Sequence, residues 1–411
     1  MSDPYFQELF ADRIGGVNYG KSTEIYKFEK IKRAKRQAIK DFPDRPLIDF
    51  GIGENDEMAD ENVRKVMARE INVLENRGYA DNGCQEFKDA VARFMKREFK
   101  VELDPVTEIN HAIGSKPALA MLPWVFINPG DITLMTTPGY PVAGTHTAYC
   151  GGTVYNMPLT AEKHFLPDFD AVPEDVLNRT KLLVLNYPNS PTGQVATVEF
   201  YEKVIALAKK HKFVVVQDAA HLMFSYKIDG AVSFLQVPGA KDVGVEVHSL
   251  SKGWHMIGWR LGWVCGNERI VRAFADVKDN SDSGQFLAIQ KAAVTALDDP
   301  EIPRQAKEKY HRRLRKLVDT LRQLGFQCEV PGGTYFLYVK SPKGVVDGPK
   351  FDSAEAASQY LIRDHSICTV PWDNAGAYLR FSVTYLAEDE PAEDELMFQF
   401  TERLAGVAFE F

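Results

Sequence analysis

Short aliphatic runs that alternate with helical stretches constrain the fold of this chain most strongly. The runs are DITLMTT (131–137), KLLVLNY (181–187), FVVVQD (213–218), VEVHSL (245–250) and RLGWVCG (260–266). Runs this rich in aliphatic and β-branched residues are typical of strands that are covered on both faces. Stretches such as VEFYEKVIALAKKHK (198–212) have a helical period instead. Alternation of this kind predicts an α/β fold with a mostly parallel, doubly wound sheet.

The pattern changes after about residue 300, which predicts a second, smaller α+β domain. Residues 303–325 form one helical pattern that should end at Gly325, and the aromatic alternation in GGTYFLYVK and AYLRFSVTYL indicates strands. Near the N-terminus, residues 26–39 predict a basic amphipathic helix, and PLIDFGIGEND predicts a short strand. We expect an N-terminal arm and part of the small domain in 1–54, a large domain in 55–299 and the rest of the small domain in 300–411. The small domain would then be built from both chain ends.

Composition excludes several classes of partner. The chain of 411 residues has a formal net charge of -8, so no overall basic field attracts nucleic acid or an anionic membrane. Its five cysteines are scattered without a CxxC pair, which argues against a disulfide framework or a structural zinc site and predicts no metal. The first residues lack the pattern of a secretory signal, and no apolar run approaches the roughly 20 residues of a membrane helix. We expect a cytoplasmic protein with small-molecule partners.

The stretch HSLSKGWHMIGWRLG encloses Lys252 in apolar and aromatic residues. A lysine amine is a nucleophile only when deprotonated, so a catalytic lysine needs burial or a nearby cation. Trp254 would supply an apolar contact, Arg260 the cation, and Ser249 and Ser251 hydroxyls for a phosphate. The alternative is a partly exposed lysine on a turn.

Two further motifs follow aliphatic runs directly, at the strand ends where open α/β sheets bind ligands. NYPNSPTG follows KLLVL, and its proline-rich turn would fix the amide of Asn189 as a hydrogen-bond donor. Asp218 ends FVVVQD, where its carboxylate could pair with a protonated ring nitrogen. The alternatives are an ordinary Asn-Pro turn and a helix N-cap.

A third motif, HAIGSKPALAMLPWVF, places Ser115 and Lys116 at the start of a helix-like run. Free N–H groups at a helix start bind phosphate well, although a simple capped helix is the alternative. Tyr140, in TTPGYPV, follows a strand and could stack on a ring. Together, these motifs supply what one cofactor, pyridoxal 5'-phosphate, requires.

SLSKGWHMIGWRLG and PNSPTG resemble the fold-type I pyridoxal-phosphate aminotransferases of the aspartate aminotransferase class, and the resemblance covers nearly the whole chain. It implies that Lys252 bonds the cofactor aldehyde as an imine and acts as general base. It further implies that Asp218 pairs with the ring nitrogen, Asn189 donates to the ring oxygen and Arg260 binds the phosphate.

The same resemblance implies roles for three more residues. Tyr79, in RGYADNGC, resembles the tyrosine that reaches a neighbouring subunit's phosphate, which implies a homodimer with shared sites. Arg380, in AYLRFSVT, resembles the arginine that binds the substrate α-carboxylate bidentately. His221 stands where the family usually has a tyrosine bonded to the ring oxygen. Because histidine titrates near neutrality, we expect an altered pH profile.

Within the class, NYGKSTEIYKFEKIKRAKR, LIDFGIGEND and TTPGYPV resemble LL-diaminopimelate aminotransferases. The resemblance implies that Tyr26, Gly53 and Asn280 line the substrate site. It also implies amino transfer between glutamate/2-oxoglutarate and tetrahydrodipicolinate/LL-2,6-diaminopimelate in lysine biosynthesis. The pair Asp81-Asn82 departs from the Glu-Gln pair of the plant and chlamydial enzymes, where the acidic residue helps to recognise the distal ammonium group.

Other functions remain open from the sequence. They are an aminotransferase for aspartate, alanine or aromatic amino acids, a binding module that has lost turnover, and a lyase or decarboxylase. Arg380 argues against a decarboxylase, because a carboxylate held by arginine is poorly placed to leave.

Overall fold

The computed structural model describes residues 4–21, 27–228 and 230–411. The strands are β1 (Ile48–Asp49), β2 (Ile109–Ala112), β3 (Ile132–Thr137), β4 (Thr153–Pro158), β5 (Thr180–Asn186), β6 (Val214–Asp218), β7 (Gly244–Ser249), β8 (Gly262–Gly266), β9 (Phe336–Lys340), β10 (Gly344–Val345), β11 (Ile367–Cys368), β12 (Val370–Trp372), β13 (Tyr378–Ser382) and β14 (Phe409–Glu410). The α-helices are α1 (Pro4–Gln7), α2 (Lys27–Asp41), α3 (Glu61–Glu70), α4 (Gln85–Phe99), α5 (Ser115–Phe126), α6 (Val142–Tyr149), α7 (Glu174–Arg179), α8 (Val198–His211), α9 (Ala240–Val243), α10 (Glu268–Asp279), α11 (Leu287–Asp298), α12 (Glu301–Gln323), α13 (Ala354–His365) and α14 (Glu390–Arg403).

A seven-stranded sheet with the order β2-β8-β7-β6-β5-β3-β4 forms the centre of the larger part. The pairs β3–β4, β3–β5, β5–β6 and β6–β7 are parallel, whereas β8 is antiparallel to both β7 and β2. All strands of this sheet except β8 therefore run in the same direction. The predicted mostly parallel α/β architecture is confirmed, and each of the five aliphatic runs coincides with a strand to within two residues. The sequence did not predict β2 or β4.

Both faces of this sheet are covered, as the continuous aliphatic runs require. Leu183 and Val215 belong to one apolar cluster, and their neighbours Leu182 and Val216 belong to another. Successive side chains of a strand point to opposite faces, so the two clusters lie on opposite sides of the sheet. Burial of aliphatic side chains on both sides stabilises the sheet by roughly 25 cal/mol per Å² of apolar surface.

The smaller part is built from both ends of the chain. β9, β12 and β13 form an antiparallel sheet, and β1 pairs in parallel with β11. Ile31 of α2 shares an apolar cluster with Ile362 and Val370. α12 ends at Gln323, two residues before the predicted Gly325, which adopts a φ of 89°. The boundaries after residues 54 and 299 remain predictions.

Within the described residues, no helix combines the length and the apolar character needed to cross a membrane.

Candidate cofactor and substrate site

The predicted strand-end residues come together at one edge of the large sheet. Asp218 ends β6 and Ser249 ends β7, while the turn with Asn189 follows β5. The register pairs Asn186 with Asp218 across β5 and β6, so these two strands end at the same level. Arg260 precedes β8, which is antiparallel to its neighbours, so the start of β8 also lies at this edge.

Lys252 lies on the turn after β7 and is half-buried. Its Nζ donates a hydrogen bond to the carbonyl oxygen of Gly53 at 2.9 Å, and its own carbonyl oxygen accepts one from Asn55 Nδ2 at 2.7 Å. The hydroxyl of Tyr335 donates to the same Gly53 oxygen at 3.0 Å. The segment that follows β1, a strand of the smaller part, therefore contacts Lys252.

Asn189 is fully buried, and only one end of its amide has a partner. Its Oδ1 accepts hydrogen bonds from Thr192 Oγ1 at 2.7 Å and from Thr192 N at 3.3 Å. These bonds fix the orientation of the amide, while Nδ2 has no partner among the described residues. A buried donor left without an acceptor costs about 1–3 kcal/mol, so this atom fits an oxygen of a bound group.

Asp218 is almost completely buried, and its Oδ1 accepts a hydrogen bond from the backbone N–H of Ala220 at 3.1 Å. Burial raises the pKa of its carboxyl to about 6, although the Ala220 N–H and the charges of His248 and Lys252 act in the opposite direction. A cationic partner would favour the charged form of this carboxylate. The position thus fits a protonated ring nitrogen.

His221 is also buried, and burial lowers its pKa to about 3, with the charges of Lys252 and Arg380 acting in the same direction. The expectation that it titrates near neutrality is therefore wrong, because desolvation disfavours the imidazolium ion. Its Nδ1 has no partner among the described residues, and its ring packs edge-to-face on Tyr335 with centroids 5.3 Å apart. A neutral imidazole can exchange a hydrogen bond with a ligand oxygen.

An anion-binding cradle surrounds the start of α5. The helix begins at Ser115, and its N-cap residue Gly114, with a φ of 79°, makes no side-chain cap. A Cβ added to Gly114 would lie 2.4 Å from a terminal nitrogen of Arg260, so the guanidinium lies directly against this turn. Arg260 donates to Ser251 Oγ at 3.3 Å, and Ser251 N donates to Ser249 Oγ at 3.1 Å. N–H groups, hydroxyls and a cation thus converge as a phosphate requires.

Arg380 on β13 is a buried cation with spare hydrogen-bonding capacity. One terminal nitrogen donates to the carbonyl oxygen of Gly51 at 3.0 Å, and the guanidinium carbon lies 4.2 Å from the ring centroid of Phe336. Its Nε has no partner in the described part of the chain. Burial lowers its pKa to about 10, so the group stays charged at neutral pH. A terminal nitrogen of Arg380 lies within 4.0 Å of a Cβ added to Gly53, the residue whose carbonyl binds Lys252.

Several of the predicted site residues are exposed within the single chain. The side chain of Tyr79 is 86% exposed, and Tyr140 is 43% exposed. Asn280 is exposed at the end of α10, and its amide donates to the carbonyl oxygen of Asp276 on the same helix at 2.8 Å. Lys116 is exposed on the first turn of α5. Tyr26 lies outside the described residues.

Several side chains near the site were not predicted from the sequence. Tyr335 and Asn55 support the Lys252 turn, and Phe336 packs under Arg380. Thr192 lies inside the NYPNSPTG motif, three residues after Asn189, so the motif itself could have indicated it as the partner of that amide. Asn55 lies in LIDFGIGEND, and Tyr335 and Phe336 lie in GGTYFLYVK, but neither segment indicates that these side chains reach Lys252 or Arg380. Only the folded chain brings them close.

A buried polar cluster lies behind the sheet edge. The side chains of Glu246, His248 and Cys265 place possible ligand atoms within 4.8 Å of one another. Glu246 accepts hydrogen bonds from His248 Nε2 at 2.8 Å, from Ser233 Oγ at 3.0 Å and from Phe234 N at 2.6 Å. These bonds satisfy the buried carboxylate, and we interpret the cluster as a hydrogen-bonded part of the core.

Comparisons with known proteins agree with this geometry. Residues 45–394 match the family described as aminotransferase class I and II. The chain is 53% identical to the LL-diaminopimelate aminotransferase of Methanocaldococcus jannaschii and 50% identical to that of Methanococcus maripaludis, in each case over 100% of both chains. Among solved structures, substrate-bound BacF from Bacillus subtilis is 30% identical, with a TM-score of 0.84 over 95% of this chain and 97% of that one. A mutant aspartate aminotransferase from Thermus thermophilus is 25% identical, with a TM-score of 0.83 over 96% of this chain and 99% of that one. The chain belongs to the aminotransferase class I and II family.

Proposed function

We propose that this chain transfers an amino group between glutamate/2-oxoglutarate and tetrahydrodipicolinate/LL-2,6-diaminopimelate in lysine biosynthesis. The observation that carries the substrate assignment is the 53% identity, over the full length of both chains, to a relative named LL-diaminopimelate aminotransferase. The arrangement of polar groups around Lys252 supports the reaction type. A rival specificity for aspartate, alanine or aromatic amino acids has no comparable support.

The residues at the sheet edge fit pyridoxal 5'-phosphate, on which members of the aminotransferase class I and II family depend. Lys252 would anchor the cofactor covalently, and Asp218 would pair with its ring nitrogen. Asn189 Nδ2 and His221 Nδ1, both buried without a partner in the described structure, would face its ring oxygen. The bound cofactor supplies an electron sink for the charge that develops on the substrate Cα.

The phosphate would occupy the cradle at the start of α5. Arg260 and the hydroxyls of Ser115, Ser249 and Ser251 would bind its oxygens, together with the free N–H groups of the helix start. Gly114 leaves the space that the guanidinium needs, since a Cβ there would lie 2.4 Å from it.

Side chains of the protein would bind the substrate and move its proton. Arg380 would bind the substrate α-carboxylate in a planar, bidentate geometry, with Phe336 fixing the plane of the guanidinium. Lys252 Nζ, when deprotonated, would take the proton from the substrate Cα and later return it. Asp218, charged beside a cation, would keep the ring nitrogen protonated while the proton moves.

We further propose that the enzyme is a homodimer in the cytoplasm. The side chain of Tyr79 is 86% exposed, which is the exposure expected of a residue that reaches a neighbouring subunit. The free cysteines Cys84, Cys150, Cys265, Cys328 and Cys368 fit a reducing compartment.

The cofactor part of this proposal is tested by absorbance and turnover. Adding pyridoxal 5'-phosphate to the cofactor-free protein should produce a visible absorbance band that is displaced from that of the free cofactor. Lys252→Ala should remove this displacement and reduce amino transfer from LL-2,6-diaminopimelate to 2-oxoglutarate to background. A wild-type protein without such a band, or a Lys252→Ala variant with full turnover, would contradict the proposal.

A further inference from the structure

Arg260 has a backbone conformation that a non-glycine residue rarely adopts. Its φ is 57°, in the left-handed region, and it directly precedes the short connection to β8. A left-handed conformation costs roughly 1–2 kcal/mol for a residue with a Cβ, so surrounding contacts must hold it. The direction of the guanidinium depends on this conformation, because the side chain departs from the same Cα.

Gln285 supplies such contacts from a distant part of the chain. It is a buried residue in the connection between α10 and α11. Its Nε2 donates hydrogen bonds to the carbonyl oxygens of Trp259, at 2.7 Å, and of Arg260, at 2.6 Å. One amide group thus bridges the two carbonyls on either side of the Arg260 Cα and fixes the peptide planes there.

His111 fixes the orientation of that amide. Its Nε2 lies 3.1 Å from Gln285 Oε1. Because both N–H groups of Gln285 are directed at carbonyl oxygens, Oε1 must accept, and His111 Nε2 must carry the proton. Burial lowers the pKa of His111 to about 4, so the ring is neutral and has a single N–H to donate.

The connection that carries Gln285 is anchored independently of Arg260. Gly284, with a φ of 81°, bridges to Ala80, and a Cβ added to Gly284 would lie 2.4 Å from the Ala80 carbonyl oxygen. The backbone carbonyl of Gln285 accepts a hydrogen bond from Gln290 Nε2 at 2.8 Å. The side-chain amide of Gln285 therefore holds the Arg260 backbone from a position that other contacts fix. Ala80 directly follows Tyr79, so the same connection also holds the turn of that tyrosine.

We propose that Gln285, oriented by His111, is a positioning residue that holds Arg260 in the conformation needed to bind the phosphate group of the cofactor. The inference rests on the proposed function, since it takes Arg260 as the phosphate ligand. Neither residue touches the phosphate; both act through the Arg260 backbone.

The isosteric change Gln285→Glu tests this directly, because it keeps the shape but replaces both N–H donors by a carboxylate oxygen. The affinities of the cofactor-free protein for pyridoxal 5'-phosphate and for inorganic phosphate should each fall roughly tenfold, the size expected from losing one or two hydrogen bonds. Affinity for pyridoxal, which lacks the phosphate, should not change. Equal losses for pyridoxal and pyridoxal 5'-phosphate would indicate a general structural defect and overturn the inference.

A double-mutant cycle tests whether the effect passes through Arg260. In an Arg260→Ala background, Gln285→Glu should cause no further loss of phosphate affinity. Asn267→Ala is the control, since it removes another amide that donates to a backbone carbonyl, at 2.8 Å, at the opposite edge of the sheet. It should lower the melting temperature without changing phosphate affinity.

His111 provides a second pair of variants that leaves Gln285 in place. His111→Gln keeps an N–H near the position of Nε2 and should retain phosphate affinity, whereas His111→Leu removes the donor and should lose it. Unchanged phosphate affinity in a folded His111→Leu protein would contradict the inference even if Gln285→Glu does not fold. If the wild-type protein binds pyridoxal 5'-phosphate, the proposed function stands whatever the Gln285 and His111 variants show. If the wild-type protein does not bind it, the proposed function itself is contradicted.

Discussion

Single polar atoms define the candidate site, because the folded chain buries them without giving them a partner. Asn189 Nδ2, His221 Nδ1 and Arg380 Nε are all buried and unpaired among the described residues. Each such atom costs the folded chain about 1–3 kcal/mol, which a correctly placed ligand would recover. Other buried atoms without a partner, such as Asn76 Oδ1 and Tyr201 Oη, lie elsewhere in the described chain. Asn189, His221 and Arg380 differ from these because the sequence motifs assign all three to the cofactor or the substrate, and this agreement supports a prepared binding site.

Ionisation of the buried Asp218 carboxyl should lower the free energy of unfolding of the cofactor-free protein at neutral pH. Its folded pKa is raised from 3.8 to about 6 by burial, so its stabilising contribution is complete below pH 3.8 and is lost as the pH rises through about 6. The shift corresponds to about 3 kcal/mol at neutral pH. Asp218→Asn should therefore stabilise the cofactor-free protein at pH 7.5 by up to that amount, and the gain should shrink towards pH 4.

Urea unfolding of the cofactor-free protein at several pH values measures this effect. Asp276→Asn, at an exposed position on α10, is the control and should leave the pH dependence of stability unchanged. The same Asp218→Asn variant should lose most of its amino-transfer activity, because the amide cannot hold a proton on the ring nitrogen. A variant that is less stable than wild type at pH 7.5 would show that the carboxylate is not buried as described.

Residues next to strand ends were predictable from sequence, and those that act from a distance were not. Asn189, Asp218 and Lys252 each follow or end an aliphatic run, so the parallel sheet alone brings them to one edge. Tyr335 and Gln285 reach the site through contacts between segments far apart in the sequence. No local pattern marks such residues, because their role depends on how the two parts of the chain pack.

Among the secondary-structure elements, α5 and its first turn carry the most specific chemistry. Gly114 and the exposed Gly130 both have positive φ values, 79° and 91°, so a Cβ strains the backbone at either position. Only at Gly114 would that Cβ meet another group, the Arg260 guanidinium at 2.4 Å; at Gly130 nothing lies within 4 Å. Alanine substitutions at these two positions can therefore distinguish the effect of backbone strain from the effect of contact with Arg260.

Gly114→Ala should weaken pyridoxal 5'-phosphate binding because the flexible arginine must move away from the helix start. Gly130→Ala is the control for a positive φ away from the cradle: it should cost roughly 1 kcal/mol of stability without changing cofactor affinity. Equilibrium titration and thermal unfolding of both variants measure the two effects. Equal cofactor affinities in the two variants would mean that the guanidinium does not need its position beside Gly114.

The composition and burial of β2 and β4 explain why the sequence did not predict these two strands. β2 is only four residues long and contains an asparagine and a histidine, so it lacks a continuous aliphatic run. β4 lies at the edge of the sheet and is mostly not buried, which permits polar residues and a proline. The five central strands are covered on both faces and keep the aliphatic signal.

In the molecule as a whole, a buried ion network joins the smaller part to the segment that supports Lys252. Arg313 of α12 binds Asp56 at 2.9 Å and Glu393 of α14 at 2.7 Å, and all three side chains are nearly inaccessible to solvent. Burial would raise the pKa of Glu393, but hydrogen bonds from Arg312, Arg313 and Lys316 outweigh it and lower the pKa to about 2.

Asp56 directly follows Asn55, whose amide binds the Lys252 carbonyl. Removing one partner of such a buried pair typically costs about 3–5 kcal/mol.

Subunit complementation tests the proposed dimer with shared sites. Lys252→Ala and Tyr79→Phe variants should each have low activity alone, because one lacks the amine and the other a phosphate contact. If Tyr79 acts across the interface, mixed dimers contain one complete site, and refolding the two variants together should restore activity well above that of either. Activity equal to the average of the separate variants would place Tyr79 in its own subunit's site or outside any site.

A single-turnover scan of amino donors tests the central claim most directly. Holoenzyme without any 2-oxo acid is mixed separately with LL-2,6-diaminopimelate, glutamate, aspartate, alanine and phenylalanine, and the visible absorbance of the bound cofactor is followed. The account predicts rapid loss of that absorbance with LL-2,6-diaminopimelate and glutamate, slow or no loss with the other three, and none in Lys252→Ala. Loss that is as rapid with aspartate, alanine or phenylalanine as with LL-2,6-diaminopimelate would contradict it.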